Sequence, residues 1–377
     1  MKTINVLTEA FAIMYGGGER WLYNVSKRLM AKGFDLTVYT LDVKGCKNVS
    51  GNMKLVGLTP FPLYNFTSYV NRFFLVTLGF IFNFKRLLKC DYIFISQTFP
   101  LIFLPLLKLK RNLRAYAIFG NFYGISYSLE EKGLKGLVRA LLEVFACKVL
   151  GHFADKAFVV SAYIGRGLIG YGVPKQKVCV TYCGVNLEEI LRISLDKTDE
   201  PSIIFVGRLV EQKRPWLLID LVERLVSKGL KFKLFVIGDG YLKKRLIDDS
   251  KKRGLESYIA FLGRVSETEK FKLMKSSWTL VLPSGTEGLS ITLIESMACC
   301  TPPVASKVGG VPELIDHEVN GFLFEANDFE AFCNYVERLL TNKSLVEVLG
   351  ENGLKKVKNQ FTWENVTERI IRVFYED

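Results

Sequence analysis

Apolar runs of four or five residues recur along the chain at 4–8, 36–40, 92–96, 115–119, 157–160 and 178–181. They recur again at 202–206, 233–237, 258–262, 279–282 and 303–306. Such continuous runs fit strands of a parallel sheet covered on both faces. Between them lie amphipathic stretches. In WLYNVSKRLM (21–30), Leu22, Val25 and Leu29 form one stripe, and 216–225 and 268–274 read the same way. Two successive strand–helix series predict two doubly wound α/β domains. The polar, aperiodic stretch 188–201 marks the expected division, with a first domain over 1–190 and a second over 191–350.

Length and composition narrow the class. The 377 residues suit two cores rather than one. The eight cysteines (46, 90, 147, 179, 183, 299, 300 and 333) form no CxxC pair, and the two histidines are His152 and His317. This pattern predicts buried free thiols in a reducing, cytoplasmic setting and no zinc site. The start, MKTINVLTEA, leads straight into a strand, so no signal peptide is expected.

The net charge of +13 is carried by one half: residues 1–190 hold 24 Lys and Arg against 11 Asp and Glu, and 191–377 hold 27 of each. The stretch 66–89 reads as a domain helix, its apolar core 73–82 about half the length of a membrane span. With the basic residues after it and LIFLPLLKLKRNLR (101–114), it also suggests a basic, amphipathic surface for peripheral contact with an anionic membrane. Aromatic and basic residues do not interleave in the stacking pattern of nucleic-acid binders, so no nucleic-acid partner is expected.

Candidate chemistry gathers at strand ends. In LVLPSGTEGLSITLIESMACCTPPVAS (280–306) a strand turns at Pro283-Ser284-Gly285, and a helix over 289–299 follows with Leu289, Leu293 and Met297 as its stripe. Ser290 is the expected cap, and the first N–H groups of such a helix have no internal partner, which makes an anion site. Glu287 and Glu295 bracket it and could meet one ligand bearing a phosphate and hydroxyls. After the first strand, Tyr15-Gly16-Gly17-Gly18-Glu19-Arg20 allows close backbone approach to a phosphate, yet it is not the GxGxxG of a nicotinamide site. Arg208 and Lys213 follow the strand 202–206, where α/β sheets place ligands. Asp239 in Ile237-Gly238-Asp239-Gly240 belongs to no Asp-x-Asp pair, against a metal-dependent transferase. His152 lies in a helical stretch and is expected to be structural.

Together, the two glutamates with seven residues between them after PS, the GGxER turn, VGRL with its following lysine, and the GGVPE and NGFL turns resemble the family 4 retaining glycosyltransferases. The resemblance covers nearly the whole chain and is most specific over 202–325. It implies a GT-B architecture, two Rossmann-like domains facing a central cleft, with a closing helix in 351–377 that returns to the first domain. It implies transfer of a sugar from a nucleoside diphosphate sugar to an acceptor hydroxyl with retention, without an essential metal or other cofactor. By the same resemblance, Gly17 and Gly18 face the donor diphosphate, Arg208 and Lys213 clamp it, and Arg264 and Val265 lie at the base. Glu287 and the Gly288, Leu289 and Ser290 helix start meet the sugar and phosphate, and Glu295 meets the ribose.

The sequence departs from the family pattern in three places. Asn121 is the nearest polar residue where many members carry a first-domain histidine, Arg214 replaces a frequent glycine, and Cys300 stands at a helix end that favours glycine. The acceptor expected is a glycan or a lipid-linked glycan precursor. Two other activities fit the same architecture: a nucleotide-sugar epimerase, which would want more acid–base side chains, and an inactive sugar-nucleotide-binding scaffold.

Overall fold

A computed structural model, which describes residues 2–9, 11, 17–41, 53–58, 69–96, 98–120 and 134–376, gathers the apolar runs into two parallel sheets. The first contains β1 (Thr3–Leu7), β2 (Asp35–Thr40), β3 (Lys54–Gly57), β4 (Tyr92–Ser96), β5 (Arg114–Phe119), β6 (Lys156–Val159) and β7 (Val178–Val180), in the order β3-β2-β1-β4-β5-β6-β7. The second contains β8 (Ser202–Val206), β9 (Lys233–Ile237), β10 (Ile259–Gly263), β11 (Thr279–Leu282), β12 (Pro303–Ser306) and β13 (Phe322–Phe324), in the order β10-β9-β8-β11-β12-β13. Each order reverses once, between β1 and β4 and between β8 and β11. Each sheet is of the doubly wound type that the strand–helix series predict, and the pair of them fits the GT-B architecture that the family resemblance implies. Among the described residues, β3 and β13 are additions to the expected strands. Both are edge strands: β3 is exposed or half-buried throughout, and β13 is three residues long within NGFLF, a segment that reads as a turn.

In the first unit the helices are α1 (Gly17–Ala31), α2 (Tyr69–Leu87), α3 (Thr98–Leu101), α4 (Leu104–Leu107), α5 (Leu134–Phe153) and α6 (Ala162–Gly170). The predicted stripe of α1 is in the core, with Leu22, Val25 and Leu29 fully buried. The stretch 101–114 is not one amphipathic helix, because Pro100 and Pro105 confine it to the short α3 and α4, followed by turns into β5. Among the described residues no helix is long and apolar enough to cross a membrane.

In the second unit the helices are α7 (Leu187–Leu191), α8 (Trp216–Ser227), α9 (Lys243–Lys252), α10 (Glu267–Ser276), α11 (Ile291–Ala298), α12 (Val311–Leu314), α13 (Phe329–Leu340) and α14 (Lys343–Gln360). A last helix, α15 (Trp363–Glu376), ends the chain. Packing divides the chain into Met1–Tyr182 with Val366–Asp377, and Cys183–Asn365. The division therefore falls before the expected 190/191 boundary. Ile190 of α7 is fully buried and α7 packs on α11, so the polar linker belongs to the second unit. Hydrogen bonds rather than a hydrophobic stripe hold it there: Trp278 Nε1 donates to the Thr198 carbonyl at 2.7 Å and Lys197 Nζ to Thr301 Oγ1 at 2.6 Å. In α15, Phe374 stacks on Tyr92 and meets Tyr116 and Phe34, which fixes the chain end to the first unit.

Burial pushes the Lys197 ammonium down to about 7. Its unfolded value lies near 10.5, so from pH 7 upward the unfolded chain holds the extra proton and the stability of the second unit rises with pH. Above pH 9 the balance reverses, because burial pushes the Cys299 and Cys333 thiols up to about 12 and the unfolded chain ionises them first. The melting temperature of the second unit is expected to climb between pH 7 and 9, and Lys197→Met to flatten that climb. A thermal-shift series across this range checks it.

Candidate active site

The strand order of the second sheet reverses between β8 and β11, which pair in register at Thr279↔Ile203 and Leu280↔Ile204. The loops leaving the carboxyl ends of these strands are therefore neighbours, the usual position of a ligand site on an open α/β sheet. The first loop carries Arg208 and a 3-10 turn over Glu211–Lys213, and the second carries residues 283–290 ahead of α11. Backbone and side chain join them: Gly285 N donates to the Gln212 carbonyl at 2.8 Å, and Gln212 Nε2 donates to the Thr286 carbonyl at 3.1 Å.

Glu287 is only 6% exposed. Its Oε1 accepts from Lys213 Nζ in a buried ion pair and from Ser284 Oγ at 2.7 Å. A buried carboxylate needs such partners, since an unpaired one loses its hydration without compensation. Its backbone is held as tightly, because Gly310 N donates to the Glu287 carbonyl at 3.1 Å. Gly309 sits at φ +56°, where a Cβ would lie 1.7 Å from that carbonyl oxygen. The GGVPE turn thus buttresses Glu287. Gly238 does the same for the first loop, with φ +131° and space for a Cβ only 1.9 Å from the Gly207 carbonyl oxygen.

Arg208 shares the loop after β8 with Lys213, and residues 288–290 directly follow Glu287. Arg208 is exposed, and its guanidinium has no hydrogen-bond or ion-pair partner among the described residues. Among the described residues, no acceptor takes the backbone N–H groups of Gly288, Leu289 and Ser290. Ser290 occupies the N-cap of α11 but its side chain makes no capping hydrogen bond, contrary to the sequence expectation. The residue is 5% exposed with its backbone extended, and α11 itself begins at Ile291 rather than at 289. Arg264 and Val265, exposed and half-buried, follow β10 at the sheet edge, two strands from β8 and roughly 10 Å away.

Glu295, 4% exposed, lies on the second turn of α11 and accepts from Lys270 Nζ at 2.9 Å. Lys270 is itself 6% exposed and bonds Glu267 one turn earlier at 2.9 Å. The sequence reading missed this residue. Its signal was a lysine in the buried stripe of α10, next to Phe271 and four residues before Met274. Arg214 takes φ +46°, the left-handed conformation that explains a glycine preference there, and its Nη1 donates to the Ala326 carbonyl at 2.8 Å. Cys300 likewise has φ +54°, as its place at the end of α11 suggested.

Gly17 and Gly18 belong to the first unit. They are not loop residues but the first turn of α1, which starts four residues earlier than the WLYNVSKRLM pattern shows. Their N–H groups are therefore first-turn donors. Gly120, at the end of β5, leaves a Cβ only 3.2 Å from the Gly18 Cα, so strand and helix start approach closely. Burial raises the Glu19 carboxyl above its ordinary range. Tyr15, Gly16 and Asn121 lie outside the described residues. Among the described residues no cluster of His, Cys, Asp and Glu could hold a metal ion, and His152 bonds only back to its own helix, at the Lys148 carbonyl.

Two family models match consecutive stretches, Glycosyltransferase Family 4 over residues 15–189 and Glycosyl transferases group 1 over 187–356. The chain belongs to the group 1, family 4 glycosyltransferases. It is 35% identical to an uncharacterized glycosyltransferase, MJ1178 of Methanocaldococcus jannaschii, over 59% of this chain and 60% of that protein. It is 26% identical to D-inositol 3-phosphate glycosyltransferase of Thermobifida fusca, over 54% of this chain and 51% of that protein. The matched part thus spans about half to three-fifths of these relatives. Among solved structures, sucrose-phosphate synthase of Thermosynechococcus elongatus superposes with a TM-score of 0.83 at 20% identity, covering 100% of this chain and 99% of that one. Alr3699/HepE of Anabaena in complex with UDP gives 0.80 at 17% identity, covering 100% of both chains.

Gly309→Ala is expected to destabilise the second unit by more than about 1 kcal/mol, since both the positive φ and the contact with Glu287 forbid a Cβ. Arg214→Gly should change stability by less, on the order of 1 kcal/mol or under, because relief of the left-handed backbone offsets the lost bond to Ala326. Denaturant titration of the two variants separates these cases.

Proposed function

We propose that the chain moves a sugar from a nucleoside diphosphate sugar to an acceptor hydroxyl with retention at the anomeric carbon. The observation that carries this reading is the buried Lys213–Glu287 pair at the strand-order reversal, beside an exposed Arg208 and the N–H groups of residues 288–290. That set offers cations and donors for a diphosphate next to a carboxylate for sugar hydroxyls. Family membership supports it, as do the complexes of Alr3699/HepE with UDP and with UDP-glucose.

In this reading the diphosphate draws Lys213 partly off Glu287, and Glu287 turns its acceptor capacity to the sugar hydroxyls. As the bond from the anomeric carbon to the phosphate oxygen breaks, charge gathers on the leaving diphosphate. Arg208, Lys213 and the helix start of α11 stabilise it. The acceptor oxygen attacks from the same face, and the leaving phosphate oxygen takes its proton. No side chain here is assigned as a covalent nucleophile. Arg264 and Val265 flank the base, and Glu295, steadied by Lys270, accepts from the ribose hydroxyls. The protein's own cations carry the diphosphate charge, so no metal is needed for that task. The acceptor is a glycan or a lipid-linked glycan precursor at the cytoplasmic membrane face.

Calorimetric titration with UDP, GDP and ADP, each with and without Mg²⁺, tests the donor site. Micromolar binding of one diphosphate without Mg²⁺, about −8 kcal/mol, is expected. Binding of none would sink the donor assignment and favour a scaffold. With a donor identified, Arg208→Ala and Lys213→Ala should each lower kcat by roughly 10²-fold or more; near-normal turnover in both would remove the clamp. Glu295→Ala should raise the donor KM more than it lowers kcat, as steady-state kinetics would show.

A further inference from the structure

In the first unit the connections after β3 run back across the sheet toward β7, so right-handed crossovers place α2 to α6 on the face opposite α1. Phe374 of α15 covers Tyr92, Phe94 and Tyr116 on the α1 side, while Ile93 and Ile95 point to the other face. Within the second layer α3 contacts both α2 and α5, and α4 contacts α5, so these four helices form one continuous surface.

The outer side of this layer is apolar. On α2, Phe74, Ile81 and Phe82 share one face at helical spacing and Phe82 is 68% exposed. Leu109, in the turn after α4, is 72% exposed. On α5, Leu137, Val138, Leu141 and Phe145 line one outward stripe, with Leu141 60% and Phe145 54% exposed. The opposite stripe of α5, including Ala140, Cys147 and Leu150, is buried in the core. The helix therefore has two apolar faces, and its inner face fixes it along the sheet rather than across a bilayer. A contiguous apolar surface of this kind on a folded domain marks an interaction site.

Charge selects the partner. Residues 69–90, 98–113 and 134–153 contain ten Lys and Arg and a single acid, Glu143, which is buried. Lys85, Arg86 and Lys89 are exposed at the end of α2, Arg111 beyond α4, and Lys148 on the outward side of α5. An isologous pair of such faces would set cations against cations, which disfavours a second copy of this chain. Aromatic and aliphatic side chains beside exposed cations, with no exposed acid among the described residues of these stretches, match the acyl boundary and headgroups of an anionic bilayer.

We propose that the outer face of α2–α5 docks on an anionic lipid bilayer, with Phe82, Leu141 and Phe145 entering the interface and the basic residues holding the headgroups. The proposal extends the membrane-face acceptor reading, and it gives α5 a role that the polarity of 66–114 did not show. Its test is co-sedimentation of the full chain with phosphatidylcholine vesicles, with and without phosphatidylglycerol, at rising salt. Expected are binding to the anionic vesicles, loss of it at high salt, and at least tenfold weaker binding for the Leu141→Asp, Phe145→Asp double variant at unchanged melting temperature. Lys85→Glu and Arg86→Glu should each weaken it by about fivefold. Nucleoside diphosphate titration of the same variants keeps a failure of the donor site separate from a failure of docking. Vesicle binding unaltered by all four substitutions would overturn the proposal. So would failure of the parent chain to bind, or a dimer that the double variant dissolves without any lipid binding.

Discussion

Every feature of the second unit's site depends on β8 and β11 being neighbours at the point where the strand order reverses. Adjacent parallel strands lie about 4.8 Å apart, so two loops that are 74 residues apart in sequence leave the sheet within reach of one ion pair. Burial then favours the pair. Glu287 loses its hydration where it lies, and Lys213 Nζ and the Ser284 hydroxyl supply the polar partners that replace it. The glycines follow from the same constraint. Gly309 lets the third loop reach the Glu287 carbonyl, and Gly238 lets the β9 turn support the loop that bears Arg208.

The pairing also shapes what the site can do. A lysine held by a carboxylate is a restrained cation, whereas Arg208 is exposed and without an ion-pair partner among the described residues. On the proposed function, an incoming dianion would meet one exposed guanidinium and one lysine whose carboxylate must find new donors. Sugar hydroxyls are such donors. On the proposed function, the diphosphate and sugar halves of one ligand would each complete what the other disturbs, which would favour a joined donor over either fragment alone.

Much of this was legible in the sequence because the parallel strands are continuous apolar runs and the chemistry stands at their ends. Arg208, Lys213 and Glu287 stand on the loops after β8 and β11, where the strand–turn–helix pattern placed them, although the helix begins at Ile291, later than that pattern showed. What escaped was written in single contacts rather than in periods. β13 is three residues in a segment that reads as a turn, and β3 lies half-exposed at an edge, so neither shows a run. The segment from 192 to 201 has no hydrophobic stripe, yet Lys197 and Thr198 tie it to the second unit through Thr301, Ser276 and Trp278. Lys270 is a charged residue in a buried stripe, and only its partner Glu295, 25 residues away, explains it. Ser290 had the right residue type for a cap, but cap geometry depends on backbone angles that residue type does not fix.

Apolar patterning has a matching limit. In α5, hydrophobic residues on both faces give the same signal as a fully buried helix, and only the fold distinguishes the stripe of Ala140, Cys147 and Leu150 from that of Leu137, Leu141 and Phe145. Charge resolves what hydrophobicity leaves ambiguous. A buried helix layer gains nothing from ten cations against one acid, and their mutual repulsion opposes compaction. Screening confines the field of these residues to about 8 Å at physiological salt, so they act on whatever lies directly against the α2–α5 face. The loop after β8 carries its own cations, Arg208 and Lys213. On the two proposals, the charge of the chain serves separate tasks, attraction of an extended anionic surface in one unit and capture of a compact anion in the other.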